Sequence, residues 1–216
     1  MEKPIFPSQY MRITQGYMEG THKDSYAIDN AGKDSSSSDI YAPFTGIIKK
    51  IYANDANEVW LESIDKVEYP DGTIDYMTVL FAHDNDTSDL FVGKRINQKE
   101  VFYQEGRKGN TTGNHCHIEC GKGKFTGTGW FKNQAGYWSI NNHKKPEECL
   151  WIDDKITILD NHNYLFKNLS TNSVDKKEEE KKESTEIVEK IFIAPKTDLY
   201  GVYLKEKQKL IIQKSI

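Results

Sequence analysis

The segment Ile47–Ala82 reads IIKKIYANDANEVWLESIDKVEYPDGTIDYMTVLFA, and its pattern decides the fold class. Runs rich in Ile, Val, Tyr and Thr alternate with clusters of Asn, Asp and Gly at intervals of about ten residues, which is typical of short strands joined by turns. We predict strands at Ile47–Tyr52, Val59–Ile64 and Ile74–Ala82, and a hairpin turn at Pro70-Asp71-Gly72 between the last two.

The same pattern continues towards the C-terminus and predicts strands at Val101–Tyr103 and His115–Cys120. A helical pattern fits only two short pieces, Thr87–Val92 and Pro146–Leu150, the second of which begins with proline as many helices do. We therefore expect a mainly β protein, built as an antiparallel β-sandwich or an open, barrel-like sheet with few short helices.

Charge and hydropathy exclude two classes of protein. The chain has 216 residues, with 29 basic against 33 acidic side chains, a net charge of −4 and a sequence pI of about 5.9. This balance argues against binding to a nucleic-acid backbone. No window approaches the roughly 18 apolar residues of a membrane-spanning helix, so membrane insertion is not expected.

The first residues do not resemble a secretory signal peptide, because charges and two prolines interrupt any apolar stretch before Tyr17. Three cysteines, Cys116, Cys120 and Cys149, lack the even count and spacing of a disulfide framework. We therefore expect synthesis in a reducing cytoplasm, with any action outside the cell following release by another route.

The chain changes character near Leu169, which suggests a domain boundary. Residues 1–169 are expected to form one domain and residues 170–190 a charged linker, since Asp175–Lys190 reads DKKEEEKKESTEIVEK and offers little to bury. Residues 191–216 are too short to hold a core alone. They are either part of a second module or a tail that docks on the first domain or stays disordered.

Two histidines in the segment Gly113–Cys120, which reads GNHCHIEC, are candidates for a shared site. On a strand, His115 and His117 point to the same face, about 6–7 Å apart, while Cys116 points to the opposite face. We expect Cys116 to be a small buried residue rather than a ligand. Alone, this pattern is weak, because two surface histidines would produce it equally well.

His22 and Asp29 lie upstream in a segment with little helical pattern, and imidazole and carboxylate are both good zinc ligands. With one histidine of the later pair they would supply the three protein ligands of a catalytic zinc and leave a fourth position open. A structural zinc site fits poorly, because such sites usually include cysteine and these cysteines are badly placed. His83 directly follows an apolar strand, where functional side chains are common.

The order and flanks of these motifs resemble the lysostaphin-type (LytM-like) zinc endopeptidases of peptidoglycan. Five stretches carry the resemblance across roughly residues 12–120: Ile13–Tyr17 is similar to the entry segment, Tyr41–Ile48 to the "APxxG-V" strand, Leu80–His83 to the "YAH" element, Val92–Ile96 with Gly106 to the glycine-punctuated run, and Gly109–His117 to "TGxHxH". Pro146-Glu147-Glu148 is similar to the closing segment. The combination is far more specific than any single motif.

The resemblance implies one Zn²⁺ bound by His22, Asp29 and His117. Six residues separate His22 from Asp29, more than in many members of the family, and Asp24 is the competing carboxylate. We favour Asp29, because Tyr26–Asp29 followed by Ala31-Gly32 is similar to the family's "GxDxxA" flank.

The resemblance also implies that His83 and His115 are catalytic histidines that do not bind the metal. His115 is assigned as general base and then general acid, and His83 as the donor to the oxyanion, although the two roles could be exchanged. Aromatic side chains at Trp130-Phe131 and Tyr137-Trp138 are assigned to the core rather than to the site.

The expected activity is hydrolysis of peptide cross-links in bacterial peptidoglycan, in a stem peptide or a cross-bridge, as in a phage or prophage endolysin that reaches the wall after a holin opens the membrane. Residues 191–216 would then be part of a wall-binding module. The alternative is a catalytically inactive relative that acts as a wall-binding or activator module.

Overall fold

A computed structural model describes residues 1–53, 55–126 and 130–169, together with the backbone of residues 191–193, 199–204 and 209–214. The chain divides into two compact units, Met1–Leu169 and Ser170–Ile216. The predicted linker, residues 170–190, lies outside the described residues. The extent of the first domain, the linker and the C-terminal module therefore stay predictions.

The first unit is mainly β, as predicted, and its one α-helix within the described residues is short. The α-helix α1 covers Pro146–Cys149, where a short helix is predicted, and a single 3-10 turn covers Gly20–His22. None of the helices in the described residues has the length and apolar character needed to cross a membrane. In chain order the strands are β1 Tyr10–Gln15, β2 Ile28–Asn30, β3 Asp39–Tyr41, β4 Gly46–Tyr52, β5 Glu58–Ser63, β6 Val67–Glu68, β7 Ile74–Asp75, β8 Met77–Ala82, β9 Arg95–Ile96, β10 Val101–Gln104, β11 Cys116–Lys122, β12 Trp130–Lys132, β13 Trp138–Ile140, β14 His143–Lys144, β15 Trp151–Ile152, β16 Thr157–Asp160 and β17 Lys167–Asn168.

One large sheet organises the first unit, with strand order β16-β1-β2-β11-β8-β5-β4-β9 and β14 added beside β11. Its pairs are antiparallel except for β1 with β16. Registers at its centre align His117 with Ala82 on one side and with Asp29 on the other. Directly opposite residues share a face of the sheet, so this register brings a histidine and a carboxylate together.

The core fills the other face of the sheet, where a two-stranded sheet of β3 and β10 packs against it. Phe81 meets Phe102 edge-to-face with ring centroids 5.2 Å apart, and Ile40 and Tyr103 are buried in the same cluster. On the site face a smaller cluster of Trp60, Leu80 and Ile140 is buried. Strand β8 is buried throughout because apolar clusters cover it on both sides.

Three local predictions are wrong or incomplete. Thr87–Val92 is not helical, because Asp84 and Asp86 accept hydrogen bonds from the backbone N–H groups two residues ahead and hold the chain in turns. The strand predicted at Ile74–Ala82 is interrupted at Tyr76, whose N–H is held by the Asp75 carboxylate. β11 begins one residue later than predicted, because His115 pairs only with Gly106 in an isolated bridge.

The remaining strand predictions are confirmed to within a residue or two, as is the turn at Pro70-Asp71-Gly72. This turn joins β6 and β7, and Gly72 has φ +85°, a conformation that a side chain would strain.

The second unit contains three antiparallel strands, β18 Ile191–Ile193, β19 Leu199–Leu204 and β20 Lys209–Lys214. β19 lies between the other two, with Val202 paired to Ile191 on one side and to Ile211 on the other.

Candidate metal centre and groove

His22, Asp29 and His117 converge on the site face of the main sheet, although they come from a 3-10 turn and two different strands. One nitrogen or oxygen atom from each lies within 4.8 Å of the other two. Asp29 Oδ1 is 3.0 Å from His117 Nδ1 and 3.3 Å from His22 Nε2. Within the described residues, this is the one group of three or more His, Cys, Asp or Glu side chains with the spacing of a metal site.

Hydrogen bonds from outside the cluster orient both imidazole rings. His22 Nδ1 is 3.0 Å from the Gly16 carbonyl oxygen, which can only accept, so this nitrogen carries a hydrogen and a neutral ring would present the lone pair of Nε2 to Asp29. His117 Nε2 lies 3.0 Å from Glu119 Oε1, a carboxylate oxygen. A neutral His117 that donates to Glu119 likewise directs the lone pair of Nδ1 towards Asp29.

The donor atoms of this cluster require a positive charge between them. With both rings neutral, two lone-pair nitrogens face one carboxylate oxygen, which is repulsive unless a proton or a cation lies among them. In the metal-free protein a proton supplies that charge. Burial disfavours the imidazolium form of His117, but hydrogen bonds to Asp29 and Glu119 outweigh burial and raise the pKa of His117 to about 10, so its ring is protonated at pH 7. Burial would raise the pKa of Asp29, yet its bonds to His117 and His22 hold that pKa well below the usual range.

The separations between the donor atoms fit a zinc ion. Three ligand atoms about 2.0–2.1 Å from one tetrahedral zinc ion lie about 3.3 Å from each other. The two separations from Asp29 Oδ1, 3.0 and 3.3 Å, are close to that spacing. Two imidazole nitrogens and one carboxylate oxygen leave a fourth position open, as in catalytic rather than structural zinc sites.

His83 and His115 lie side by side next to this cluster, with ring centroids 4.6 Å apart. His83 has φ +88°, a strained conformation that turns the chain directly after β8, and its Nδ1 donates to the Lys108 carbonyl oxygen at 2.7 Å. Burial, together with the neighbouring His117 and His115, lowers the pKa of His83 to about 4. His83 is therefore neutral at pH 7, with Nε2 as a lone pair.

His115 faces oxygen acceptors at both ring nitrogens. Its Nδ1 is 3.0 Å from the Gly113 carbonyl oxygen and its Nε2 is 3.6 Å from Asp29 Oδ2. All five histidines and acids assigned from the sequence, His22, Asp29, His83, His115 and His117, thus lie in one place. Asp24, the alternative carboxylate, is exposed with φ +63° and lies outside the cluster. Cys116 is fully buried on the opposite face.

Sequence reasoning missed Glu119, which connects the cluster to the rest of the protein. It is buried, its Oε1 contacts His117, and its Oε2 accepts hydrogen bonds from Ser139 Oγ at 2.6 Å and Ile140 N at 2.9 Å. Burial opposes its ionisation, but the bond from His117 lowers the pKa of Glu119. The signal was present, because a residue two positions after His117 on a strand shares its face.

The cluster opens into a groove of about 430 Å³. One wall is formed by the hairpin of β12 and β13 and the other by the loop around Gly109–Thr112 with His83 and His115. A hydrogen bond of 2.7 Å from Asn110 Nδ2 to the Tyr137 hydroxyl joins the two walls.

The assignment of the aromatic pairs to the core is wrong for Tyr137 and Trp138. Tyr137 is 41% exposed and Trp138 is 63% exposed, and both line the groove. Trp130 is half-buried and packs on Trp60 with ring centroids 4.7 Å apart, so it is part core and part groove wall. The hairpin is held by Asn133, whose side-chain oxygen accepts from the backbone of residues 135 and 137, and this orients the tip aromatics outward.

Comparisons with known proteins give a curated relative from a phage and several similar folds. No family model matches this chain. Morphogenesis protein 1 of Bacillus phage B103 is 32% identical over 131 residues, which are 59% of this chain and 34% of that protein. This chain thus spans about a third of the length of the curated relative that it matches.

Peptidases are among the similar solved structures. The catalytic domain of the prophage-encoded M23 protein EnpA from Enterococcus faecalis, in a mutant form, aligns with TM-score 0.41 and 18% identity over 56% of this chain and 88% of that one. The catalytic domain of lysostaphin from Staphylococcus simulans aligns with TM-score 0.37 and 17% identity over 53% of this chain and 80% of that one.

Proposed function

We propose that this chain is a zinc-dependent endopeptidase that hydrolyses peptide cross-links of bacterial peptidoglycan. The observation that carries the proposal is the arrangement of His22, Asp29 and His117 as an electron-rich cluster at the floor of an open groove. The ordered motifs that resemble the lysostaphin-type endopeptidases point to the same residues.

Three atoms would hold the metal: His22 Nε2, Asp29 Oδ1 and His117 Nδ1. The other ring nitrogen of each histidine contacts an oxygen outside the cluster, the Gly16 carbonyl for His22 and the Glu119 carboxylate for His117. Zinc bound there supplies Lewis-acid polarisation of the scissile carbonyl and a water of lowered pKa. Glu119 holds the Nε2–H of His117, so the hydrogen that the ring would lose on metal binding is the one on Nδ1, which faces the metal position.

The two remaining histidines divide the proton transfer, and their contacts favour the exchanged assignment. His83 is neutral, with its Nδ1–H bound to Lys108 and its Nε2 lone pair free, so it is the better general base towards water and can later return the proton to the leaving amine. His115 has an oxygen acceptor near each ring nitrogen, so its contacts favour it as the hydrogen-bond donor to the developing oxyanion.

The groove suits an extended peptide. Its floor crosses the strands of the sheet, and its walls rise on both sides of the cluster, so the scissile bond of a bound peptide lies beside the metal ligands. A cross-linked stem peptide or cross-bridge is short and extended enough to enter such a groove.

The proposed setting is a bacteriophage. The relative from Bacillus phage B103 supports this setting, and its description as a morphogenesis protein favours a wall-degrading component of the virion alongside the endolysin expected from the sequence. Mass spectrometry of purified virions distinguishes the two, because an endolysin is found in the lysate and is absent from the particle. Residues 191–216 are proposed as part of a wall-binding module.

The test is incubation of the purified protein with purified Gram-positive cell walls, with and without a zinc chelator. We expect turbidity to fall and amino groups to appear without new reducing sugars, and the chelator to stop both. Intact walls from several peptidoglycan types, with zinc bound to the protein, would instead establish the inactive wall-binding relative.

A further inference from the structure

We infer that Glu58, assisted by Asp55, forms a subsite for a positively charged amino group of the substrate at the end of the groove opposite His22. This inference rests on the proposed function, because it assigns part of the peptide that the same groove would hold.

The sheet register fixes where Glu58 lies relative to the candidate metal centre. Glu58 precedes Val59, which pairs with Phe81, so Glu58 is level with Ala82, and Ala82 pairs with His117. Adjacent strands are about 4.8 Å apart, which places Glu58 roughly 10 Å from His117 across the sheet. An extended peptide rises about 3.3 Å per residue, so this distance spans about three residues or one long side chain.

Ala82 lies between Glu58 and His117 in the lining of the groove. Its side chain is a single methyl group between Glu58 and His117, so nothing on that strand stands between the two. Both Glu58 and Asp55 line the groove together with the cluster. A substrate that reaches His117 from this direction therefore passes over the Glu58 carboxylate.

The Glu58 carboxylate forms no ion pair within the part of the chain that the structure describes. Glu58 is half-buried, and no described Lys, Arg or His nitrogen lies within 4.0 Å of its carboxylate. The nearest strand carries Lys50, but its ammonium lies over the ring of Tyr52, 4.5 Å from the centroid. A half-buried carboxylate without a counter-charge is costly, and a ligand cation removes that cost.

The charges of the other groove residues also favour a positively charged amino group. Its described lining contains the carboxylates Asp29, Asp55, Glu58 and Glu119, and neither Lys nor Arg. Two of these acids serve the metal centre, which leaves Asp55 and Glu58 for the substrate. Trp130 stands beside them, since it contacts both Tyr52, the strand partner of Glu58, and Trp60. An acid beside an aromatic face is the combination that binds alkylammonium groups.

The substrate class that follows is a peptide with an unacylated primary amine about three residues from the scissile bond and with no carboxylate at that position. Such an amine could belong to the side chain of a diamino acid or to the free N-terminus of an unlinked bridge. Peptides with free carboxylates there would be repelled by Glu58 and Asp55.

The test compares substrates that differ only in that amine. Cross-linked muropeptides with free side-chain amines, and the same muropeptides after acetylation, form one arm. Short bridge peptides with a free or an acetylated N-terminus form the other, and the arm with the larger preference identifies the source of the amine. The kcat/KM for release of new amino groups is measured for the wild-type protein, for Glu58→Gln and for Glu148→Gln, which removes an equal charge from an exposed position on α1 outside the groove.

We expect the wild type to prefer the free amine by about tenfold in one arm, the usual effect of one hydrogen bond between charged groups. Glu58→Gln should reduce that preference to within about twofold of unity, and Glu148→Gln should keep it. A wild type that does not discriminate in either arm, or a Glu58→Gln variant that discriminates as the wild type does, overturns the inference.

A binding measurement separates this inference from the proposed function. Calorimetric titration of the zinc-loaded His115→Ala variant with the same compounds, with and without Glu58→Gln, reports the preference without turnover. If no substrate is cleaved but binding still prefers the amine through Glu58, the proposed function fails and the subsite stands. If walls are cleaved and no preference exists, the subsite fails and the proposed function stands.

Discussion

Replacing Glu119 with glutamine should weaken zinc binding without unfolding the protein, because it changes the position of one hydrogen. Glu119 Oε2 accepts from Ser139 Oγ and Ile140 N, so the amide oxygen of a glutamine takes that position. Its NH₂ group then faces His117 Nε2 and must donate to it. The ring hydrogen of His117 is forced onto Nδ1, the atom that would bind the metal.

The magnitude follows from the role of such outer carboxylates. Loss of a partner that orients a ligating histidine typically costs 10- to 100-fold in metal affinity, or about 1.4–2.8 kcal/mol. Alanine is the poorer choice, because it leaves the buried N–H of Ile140 unpaired, at a cost of about 1–3 kcal/mol, and also removes the bond from Ser139. Glutamine keeps both of those bonds.

The assay is a competition titration of zinc between the protein and a chromophoric chelator, together with urea unfolding of the metal-free protein. Glu62→Gln is the matched control, because Glu62 is a partly buried carboxylate on β5, two strands away from β11, and contacts Lys49 and the Phe125 N–H but no histidine. Zinc affinity equal to the wild type in Glu119→Gln, with the metal-free stability of both variants unchanged, refutes the reasoning.

Four further outcomes are expected. Alanine at His83 or at His115 should abolish turnover of cell walls and leave one zinc bound, whereas His117→Ala should lose both turnover and zinc. Metal analysis beside the turnover assay checks this. A fully active His83→Ala variant would contradict the catalytic role of His83. Burial raises the pKa of Glu105 from 4.5 to about 7, so the folded state resists its ionisation. The free energy of unfolding should therefore fall by about 3 kcal/mol as pH rises from about 4.5 to 7. Urea unfolding at pH 5 and pH 8 should show most of this difference in the wild type and a smaller one in Glu105→Gln. Removal of zinc should stop turnover but leave the β-sheet circular dichroism spectrum intact, because three protein ligands with an open fourth position are typical of catalytic rather than structural zinc sites. Collapse of that spectrum would point to a structural site. Trp138→Ala should raise the KM for walls and change stability by no more than about 0.5 kcal/mol, whereas Trp60→Ala should cost about 3–5 kcal/mol; thermal unfolding and kinetics separate the two.

The strands that sequence predicts well are those whose apolar pattern is local. Gly46–Tyr52, Glu58–Ser63 and Met77–Ala82 bury apolar side chains at close spacing, and neighbouring turn residues mark their ends. β2 has only three residues, two of them polar, so its pairing across the sheet defines it, and that pairing is not visible in a linear pattern.

Some residues of the candidate site can likewise be predicted from local sequence, and others cannot. His115 and His117 follow from alternation along one strand, and the five assigned residues come from a resemblance that includes their flanks. Glu119 was not predicted because a single glutamate in a strand usually faces solvent, and its burial depends on the β12–β13 hairpin that folds over it. The exposure of Trp138 depends on the same hairpin, whose orientation no local pattern specifies.

The most direct test of the central claim is a titration of zinc into the metal-free protein in the presence of purified cell walls, with bound zinc and released amino groups measured together. We expect amine release to rise in proportion to bound zinc, to saturate at one equivalent, and to be absent in His117→Ala at every zinc concentration. Release that does not depend on zinc, or one bound equivalent that brings no release from any wall type, would contradict it.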